Sequence, residues 1–451
     1  MISTKNPYTR QTLKQYKLHT DDQIKVILEN ANSAFNEWKL KPINERTKLL
    51  SKVAKLLIER QEQYAQLITE EMGKPISQSL DEIKKCAWVC DFYVKNAEQF
   101  LADELIETDA DESFISNDPM GTILAVMPWN YPFWQVIRFA VPTLTAGNTV
   151  VFKHASNVTG CGLIIEELFK DAGYPEDSFQ ILVINQSQLE PIIANPNING
   201  VTLTGSEKAG REIAAMAGKH LKKSVLELGG NNACVIWEDA DLQAHIKTMV
   251  DARMQNTGQS CIAAKRFIVV NEIYDDFLLA FKKQIQMLRS GNPLEHDTEI
   301  GVMAREDLAD TLDKQIRESV TKGAKVTQGN SRKHSYFEPT ILEDVACGMP
   351  AFDEELFGPA AAVVKANNRE DSLKLAKDSR FGLGTMLFTR DLEAAKRLTV
   401  SVPDGSFFIN DMVKSHPQLP FGGTKASGYG RELSKEGILE FVNKKTVYIK
   451  K

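Results

Sequence analysis

One thiol stands in a run of small and polar residues, Asn256-Thr257-Gly258-Gln259-Ser260-Cys261. Such a loop can expose the sulfur and ring it with backbone N–H groups, which favours a thiolate nucleophile. The same pattern also suits an inert loop cysteine. Glu227-Leu228-Gly229-Gly230 closes an apolar run. A carboxylate at the C-terminal end of a strand, followed by glycines, lies where α/β proteins place ligands. A strand-end Glu before a turn is the alternative. In Pro128-Trp129-Asn130-Tyr131-Pro132, two prolines fix the backbone around one amide side chain. Asn130 could thus offer a rigid donor to a developing oxyanion, or the segment could be a plain turn. Lys153 follows another apolar run, and Thr204-Gly205-Ser206 opens a helical segment. A turn entering a helix can hold a pyrophosphate on free N–H groups. Gly205 and Gly210 do not form the usual dinucleotide glycine pattern.

These residues need elements to carry them, and the first hundred residues read as long amphipathic helices. Over 44–72, Leu49, Leu50, Val53, Leu56, Leu57 and Tyr64 recur at roughly helical spacing, which predicts one amphipathic helix ended by Gly73-Lys74-Pro75. A second helix is expected over 77–100, carrying Cys86 and Cys90 on one face as core residues. From residue 121 short apolar runs alternate with helical segments: 122–127, 149–152, 179–184, 200–204 and 225–228. A second series follows at 233–237, 267–270, 360–364, 385–388 and 406–409. Apolar strands separated by helices predict parallel α/β layering in two lobes that meet near residue 230. Segments 112–117 and 445–450 fit neither lobe and read as strands free to pair with each other or with a partner.

The chain of 451 residues is too long for one core, and its 43% hydrophobic and 25% charged composition is that of an ordinary globular protein. A net charge of −6 excludes broad electrostatic binding to nucleic acid as the default. No apolar run is long enough for a membrane span, and residues 1–7 lack a signal-peptide core, so a cytoplasmic location is expected. The six cysteines include no Cys-x-x-Cys pair, so no metal site is expected and all but Cys261 read as packing residues.

Taken together, in this order and spacing, these motifs resemble the NAD(P)-dependent aldehyde dehydrogenase superfamily over about residues 7–450. Glu354-Glu355-Leu356-Phe357-Gly358-Pro359 and Pro420-Phe421-Gly422-Gly423 complete the match. The resemblance implies an α/β fold with a Rossmann-like cofactor lobe (1–110 and 122–229), a catalytic lobe (230–426) and a small β oligomerisation arm (111–121 and 440–451). It implies Cys261 as nucleophile, Glu227 as general base and Asn130 as oxyanion donor. It implies cofactor contacts from Trp129, Lys153, Gly205, Ser206, Leu228, Glu355 and Phe357. NAD-preferring members often carry Glu three residues after this Lys. Here that position is Ser156, which leaves room for a 2′-phosphate beside Lys153. NADP is therefore expected, with NAD possible. His154 could also meet the phosphate, though a plain strand-end His is the favoured reading.

Arg138 lies eight residues beyond Asn130 among apolar residues and needs an anion. A structural ion pair is one reading; a clamp for a substrate carboxylate is the other. The short chain, Lys153-His154-Ala155-Ser156-Asn157 and Ser415-His416-Pro417-Gln418-Leu419-Pro420 resemble the compact bacterial succinate-semialdehyde dehydrogenases. That branch implies oxidation of succinic semialdehyde, with Arg138, Trp134, Ser415 and His416 at the substrate, and a homodimer or tetramer. Two positions depart from larger members: Gln255 stands where they carry a second Arg, with Arg253 nearby, and Ala263 where they can carry a second Cys. Other aliphatic or aromatic aldehydes, and a non-catalytic role on the same fold, are the competing expectations.

Overall fold

The computed structural model describes all 451 residues. A six-stranded sheet has the order Gly428–Tyr429, Lys223–Glu227, Ile198–Thr204, Thr122–Met127, Thr149–His154, Phe179–Ile181. Every pair is parallel except the first, where the late strand Gly428–Tyr429 runs antiparallel to Lys223–Glu227. Alternate residues reach two different cores. Ile123, Ala125, Val150 and Phe152 pack on one face, and Leu124, Val151 and Val201 on the other. Burial on both faces explains why these strands read as continuous apolar runs rather than as alternation.

Seven strands form the second sheet, in the order Lys325–Gln328, Thr340–Glu343, Ala360–Ala366, Ala264–Val270, Asn232–Ile236, Thr385–Phe388, Phe407–Ile409. Only the outermost pair, Lys325–Gln328 with Thr340–Glu343, is antiparallel. Residues 228–231 cross directly from the end of strand Lys223–Glu227 in one sheet to the start of strand Asn232–Ile236 in the other. Strand Val442–Ile449 pairs antiparallel with Glu112–Pro119, which also holds the short Glu104–Leu105, making a separate three-stranded arm.

Two expectations need correction. The periodic stretch 44–72 is two helices, Ile43–Glu59 and Gln61–Met72, broken at Arg60 with φ −109° and ψ 16°. Arg60 there bonds Asp171 at 2.6 Å, and hydrophobic spacing alone cannot register such a bend. The N-terminus is not all helical either: Ile2–Lys5 and Thr12–Tyr16 form a hairpin before the first helix, Asp21–Trp38.

Candidate active site

Helix Pro132–Thr145 is buried along its whole length and starts with Pro at its first position. Its own N-cap, Tyr131, supplies no side-chain bond. Glu82, from helix Ile76–Leu101, supplies it instead: Oε1 accepts the N–H groups of Phe133 (2.8 Å) and Trp134 (2.9 Å). The other Glu82 oxygen pairs with Lys74, which is fully buried. This carboxylate anchors the start of the helix that carries Trp134, Gln135 and Arg138.

The nucleophile loop has an unusual backbone. Asn256, Thr257 and Gly258 all have positive φ, at 55°, 53° and 72°. At Gly258 a Cβ would lie 2.2 Å from the carbonyl oxygen of Gly358, so only glycine fits. Asn256 donates from Nδ2 to the carbonyls of Asn130 (2.8 Å) and Gln259 (3.1 Å). Two cations hold the loop from below. Arg253 donates to the carbonyls of Ala264 and Gly358, at 3.1 and 2.6 Å. Lys265 donates to the carbonyls of Ser260 (2.7 Å) and Cys261 (2.9 Å) and to Glu355 Oε1 (2.9 Å). Lys265 was not singled out from sequence, and Arg253 was noted only for its place near Gln255, because a Lys or Arg in a strand or helix carries no signal of what it will bond.

Two cavities meet at Cys261 and Gln135, which line both. The first, about 430 Å³, is bounded by Trp129, Gly205, Ser206, Leu228, Glu355 and Phe357, and Asn130 and Glu227 also reach it. Ser206 caps helix Glu207–Lys219 by accepting the Ala209 N–H at 3.3 Å, so the free N–H groups of the first turn face this space. Gly210 lies against Leu228, and Gly229 against Glu355, where a Cβ would sit 2.2 Å from Oε2. Trp129 and Phe357 meet edge to face at 5.7 Å. A cleft with a helix N-terminus, aromatic walls and a carboxylate fits a dinucleotide.

Lys153 pairs in register with Val126, which borders this cleft. It is half-buried, and its only bond is from Nζ to the His154 carbonyl at 3.3 Å. Burial lowers its pKa. Ser156 is exposed beyond it. Both stand outside the immediate lining of the cleft. His154 is not poised for a phosphate: its ring is buried, Nε2 lies 2.9 Å from the Pro132 carbonyl, and burial drops its pKa to about 4.

At the junction, Asn130 Nδ2 donates to the Gln259 carbonyl at 3.2 Å, leaving its second hydrogen free. Both carboxylate oxygens of Glu227 are buried without a protein partner. Burial, and then the charge of Glu432, pushes the Glu227 pKa well above the carboxylate range. Burial likewise raises the Cys261 thiol to about 11, opposed by Lys265 and Arg138.

The second cavity, about 320 Å³, is bounded by Lys85, Trp134, Arg138, Ser415, His416 and Phe421. Arg138 pairs through Nε with the buried Glu432 and lies over the Phe421 ring at 4.6 Å, so the anion it requires is supplied by the protein. Its Nη2 has no partner. Ser415 Oγ accepts from Trp134 Nε1 (3.1 Å) and from Lys85 (2.7 Å). His416 packs edge-on against Trp88 at the rim, with ring centroids 4.5 Å apart. Cys86, Cys90, Cys161 and Cys234 are buried as expected, but Cys347 is exposed and meets Asp378 at 3.3 Å rather than the core.

The sequence matches the aldehyde dehydrogenase family over residues 1–447. It is 45% identical to the probable NADP(+) succinate-semialdehyde dehydrogenase of Synechocystis, over 99% of both chains. It is 41% identical to succinate-semialdehyde dehydrogenase NADP(+) 1 of Mycobacterium tuberculosis, again over 99% of both. The structure superposes with a TM-score of 0.97 on succinic semialdehyde dehydrogenase from Streptococcus pyogenes in complex with NADP+, 35% identical over 100% of both chains. With a thiol, a carboxylate and an amide meeting where two cavities join, the chain belongs to the aldehyde dehydrogenase family.

Proposed function

We propose that the protein oxidises succinic semialdehyde to succinate with NADP. The observation that carries this reading is the convergence of a dinucleotide-shaped cleft and a cation-bearing cavity on one thiol, Cys261. The relatives named above, succinate-semialdehyde dehydrogenases named for NADP(+), support both substrate and cofactor.

Cys261 Sγ attacks the aldehyde carbon, and its proton leaves to Glu227 or to water. The resulting oxyanion is held by the free hydrogen of Asn130 Nδ2 and by the Cys261 backbone N–H. Losing one such donor costs about 3–4 kcal/mol of barrier. When bound, NADP supplies the hydride acceptor that turns the Cys261-bound adduct into a thioester. Glu227 then draws a proton from the water that hydrolyses it. A carboxylate with a raised pKa is the stronger base for that step. Trp129, Leu228 and Phe357 would line the nicotinamide end, Glu355 would take the ribose there, and Gly205 with Ser206 would hold the pyrophosphate. Lys153 and Ser156 would take the adenosine ribose, where Ser156 in place of a Glu leaves room for a 2′-phosphate.

In this reading residues 1–110 and 122–229 hold the cofactor and 230–426 carry the nucleophile. Segments 111–121 and 440–451 join copies of the chain into a dimer or tetramer. The test is a panel of succinic semialdehyde, propanal and benzaldehyde with NADP and NAD, followed by reduced-cofactor absorbance. Succinic semialdehyde with NADP should give the highest kcat/KM. A higher value with NAD, or with propanal, would overturn the corresponding half of the reading.

A further inference from the structure

The cavity on the substrate side carries three cationic side chains, and two of them are already neutralised. Arg138 pairs with Glu432, and Lys414 with Asp411 at 2.6 Å. Lys85 has no carboxylate within 4.0 Å of Nζ. It is half-buried on helix Ile76–Leu101, its ammonium over the Trp134 indole at 4.4 Å. The carboxylates nearest in sequence are taken: Glu82 by Lys74 and the helix start, Asp81 by Lys84.

The hydrogen bonds around Lys85 point the same way. Its one bond goes to Ser415 Oγ at 2.7 Å, so two of its three N–H groups are uncommitted. Ser415 Oγ already accepts that bond and a second from Trp134 Nε1 at 3.1 Å, which leaves its own O–H to donate. Ser415 is buried. Lys85 and Ser415 thus present donors, a positive charge and no free acceptor to one corner of the cavity. A half-buried, unpaired cation flanked by unused donors is costly unless an anion joins it.

We infer that Lys85 is the residue that pairs with the distal carboxylate of the substrate, with the Ser415 hydroxyl and the unpartnered Nη2 of Arg138 as co-donors, the Arg138 charge being offset by Glu432. This rests on the succinic semialdehyde reading and adds to it the residue that sets the preference for a carboxylated aldehyde. The ammonium is a point charge with rotatable donors, whereas Arg138 is tied in place through Nε.

The measurement is the specificity ratio, kcat/KM for succinic semialdehyde over kcat/KM for propanal, in wild type, Lys85→Met and Lys85→Arg. Loss of a charge-assisted bond to a carboxylate predicts a fall in that ratio of about tenfold or more in Lys85→Met. Lys85→Arg should recover a large part of it. An unchanged ratio in Lys85→Met, with both aldehydes slowed alike or neither slowed, would overturn the inference and leave the function standing. A wild type with no preference for succinic semialdehyde over propanal would instead remove the functional reading, and the inference with it. Where Lys85→Met does not fold, Lys85→Gln tests the same ratio while keeping a donor to Ser415.

Discussion

Cys261 and Lys85 are both shifted by burial, in opposite directions, and each shift gives a testable pH dependence. The Cys261 thiol is raised to about 11, so the reactive thiolate of the cofactor-free protein is scarce at neutral pH and grows as pH rises. Iodoacetamide alkylation of the Cys261 peptide, followed by mass spectrometry, should accelerate about tenfold per pH unit from 7 to 9 and level only above that range. A plateau near pH 7 would mean that Lys265 and Arg138 outweigh desolvation. Lys85 falls to about 8, chiefly through burial and then through Arg138. The groups facing it are Glu82, Cys86, Arg138, Cys261, Lys414 and His416. Its cationic form predominates below about 8, and the substrate carboxylate stays ionised throughout. The KM for succinic semialdehyde should therefore rise as pH passes 8, while that for propanal should not follow it.

At the level of elements, helix Pro132–Thr145 depends on charges lent by its neighbours. Arg138→Ala would leave Glu432 buried without its cation, a loss of about 3–5 kcal/mol that chemical denaturation can read. Adding Glu432→Gln should return part of that loss. The loop before Cys261 depends on a conformation that only glycine tolerates at 258. Gly258→Ala must displace the Gly358 carbonyl and should cost roughly 1–3 kcal/mol. It should also lower kcat more than KM, since it moves the nucleophile rather than the substrate cavity. Steady-state kinetics beside a denaturation midpoint separates these effects.

On the scale of the whole molecule, the site exists because 228–231 carries the chain from one sheet straight into the other. That crossing brings Glu227, at the end of one strand, beside Cys261, whose carbonyl is held by Asn232 at the start of the next at 2.6 Å. The arm stands apart from both sheets and leaves Leu105 79% and Tyr448 50% exposed. Apolar groups on an open sheet edge suit pairing with a second copy. If copies of the chain join through this arm, as proposed, removal of 442–451 should yield a smaller species than the full chain in analytical ultracentrifugation. An unchanged mass would place the contact elsewhere.

What could be read from sequence followed from short-range rules. Parallel strands buried on both faces must be apolar runs, so 122–127 and 385–388 were legible to the residue. Cys261, Glu227 and Asn130 could be nominated from their glycine, proline and small polar neighbours, but their assignment to a reaction came from the family resemblance and not from those neighbours. The break at Arg60 and the exposure of Cys347 were not, since both depend on groups distant in the chain, Asp171 and Asp378. The chemistry on offer, a thiol, a carboxylate and an amide at strand ends, was therefore set by the sequence. Which cation is free was decided only by tertiary structure. Arg138 reads as the anion-seeker, and nothing in the spacing marks Lys85, until folding brings Glu432 to the first and leaves the second bonded to Ser415 without a carboxylate, because ion pairing is a property of distances in space and not of spacing along the chain.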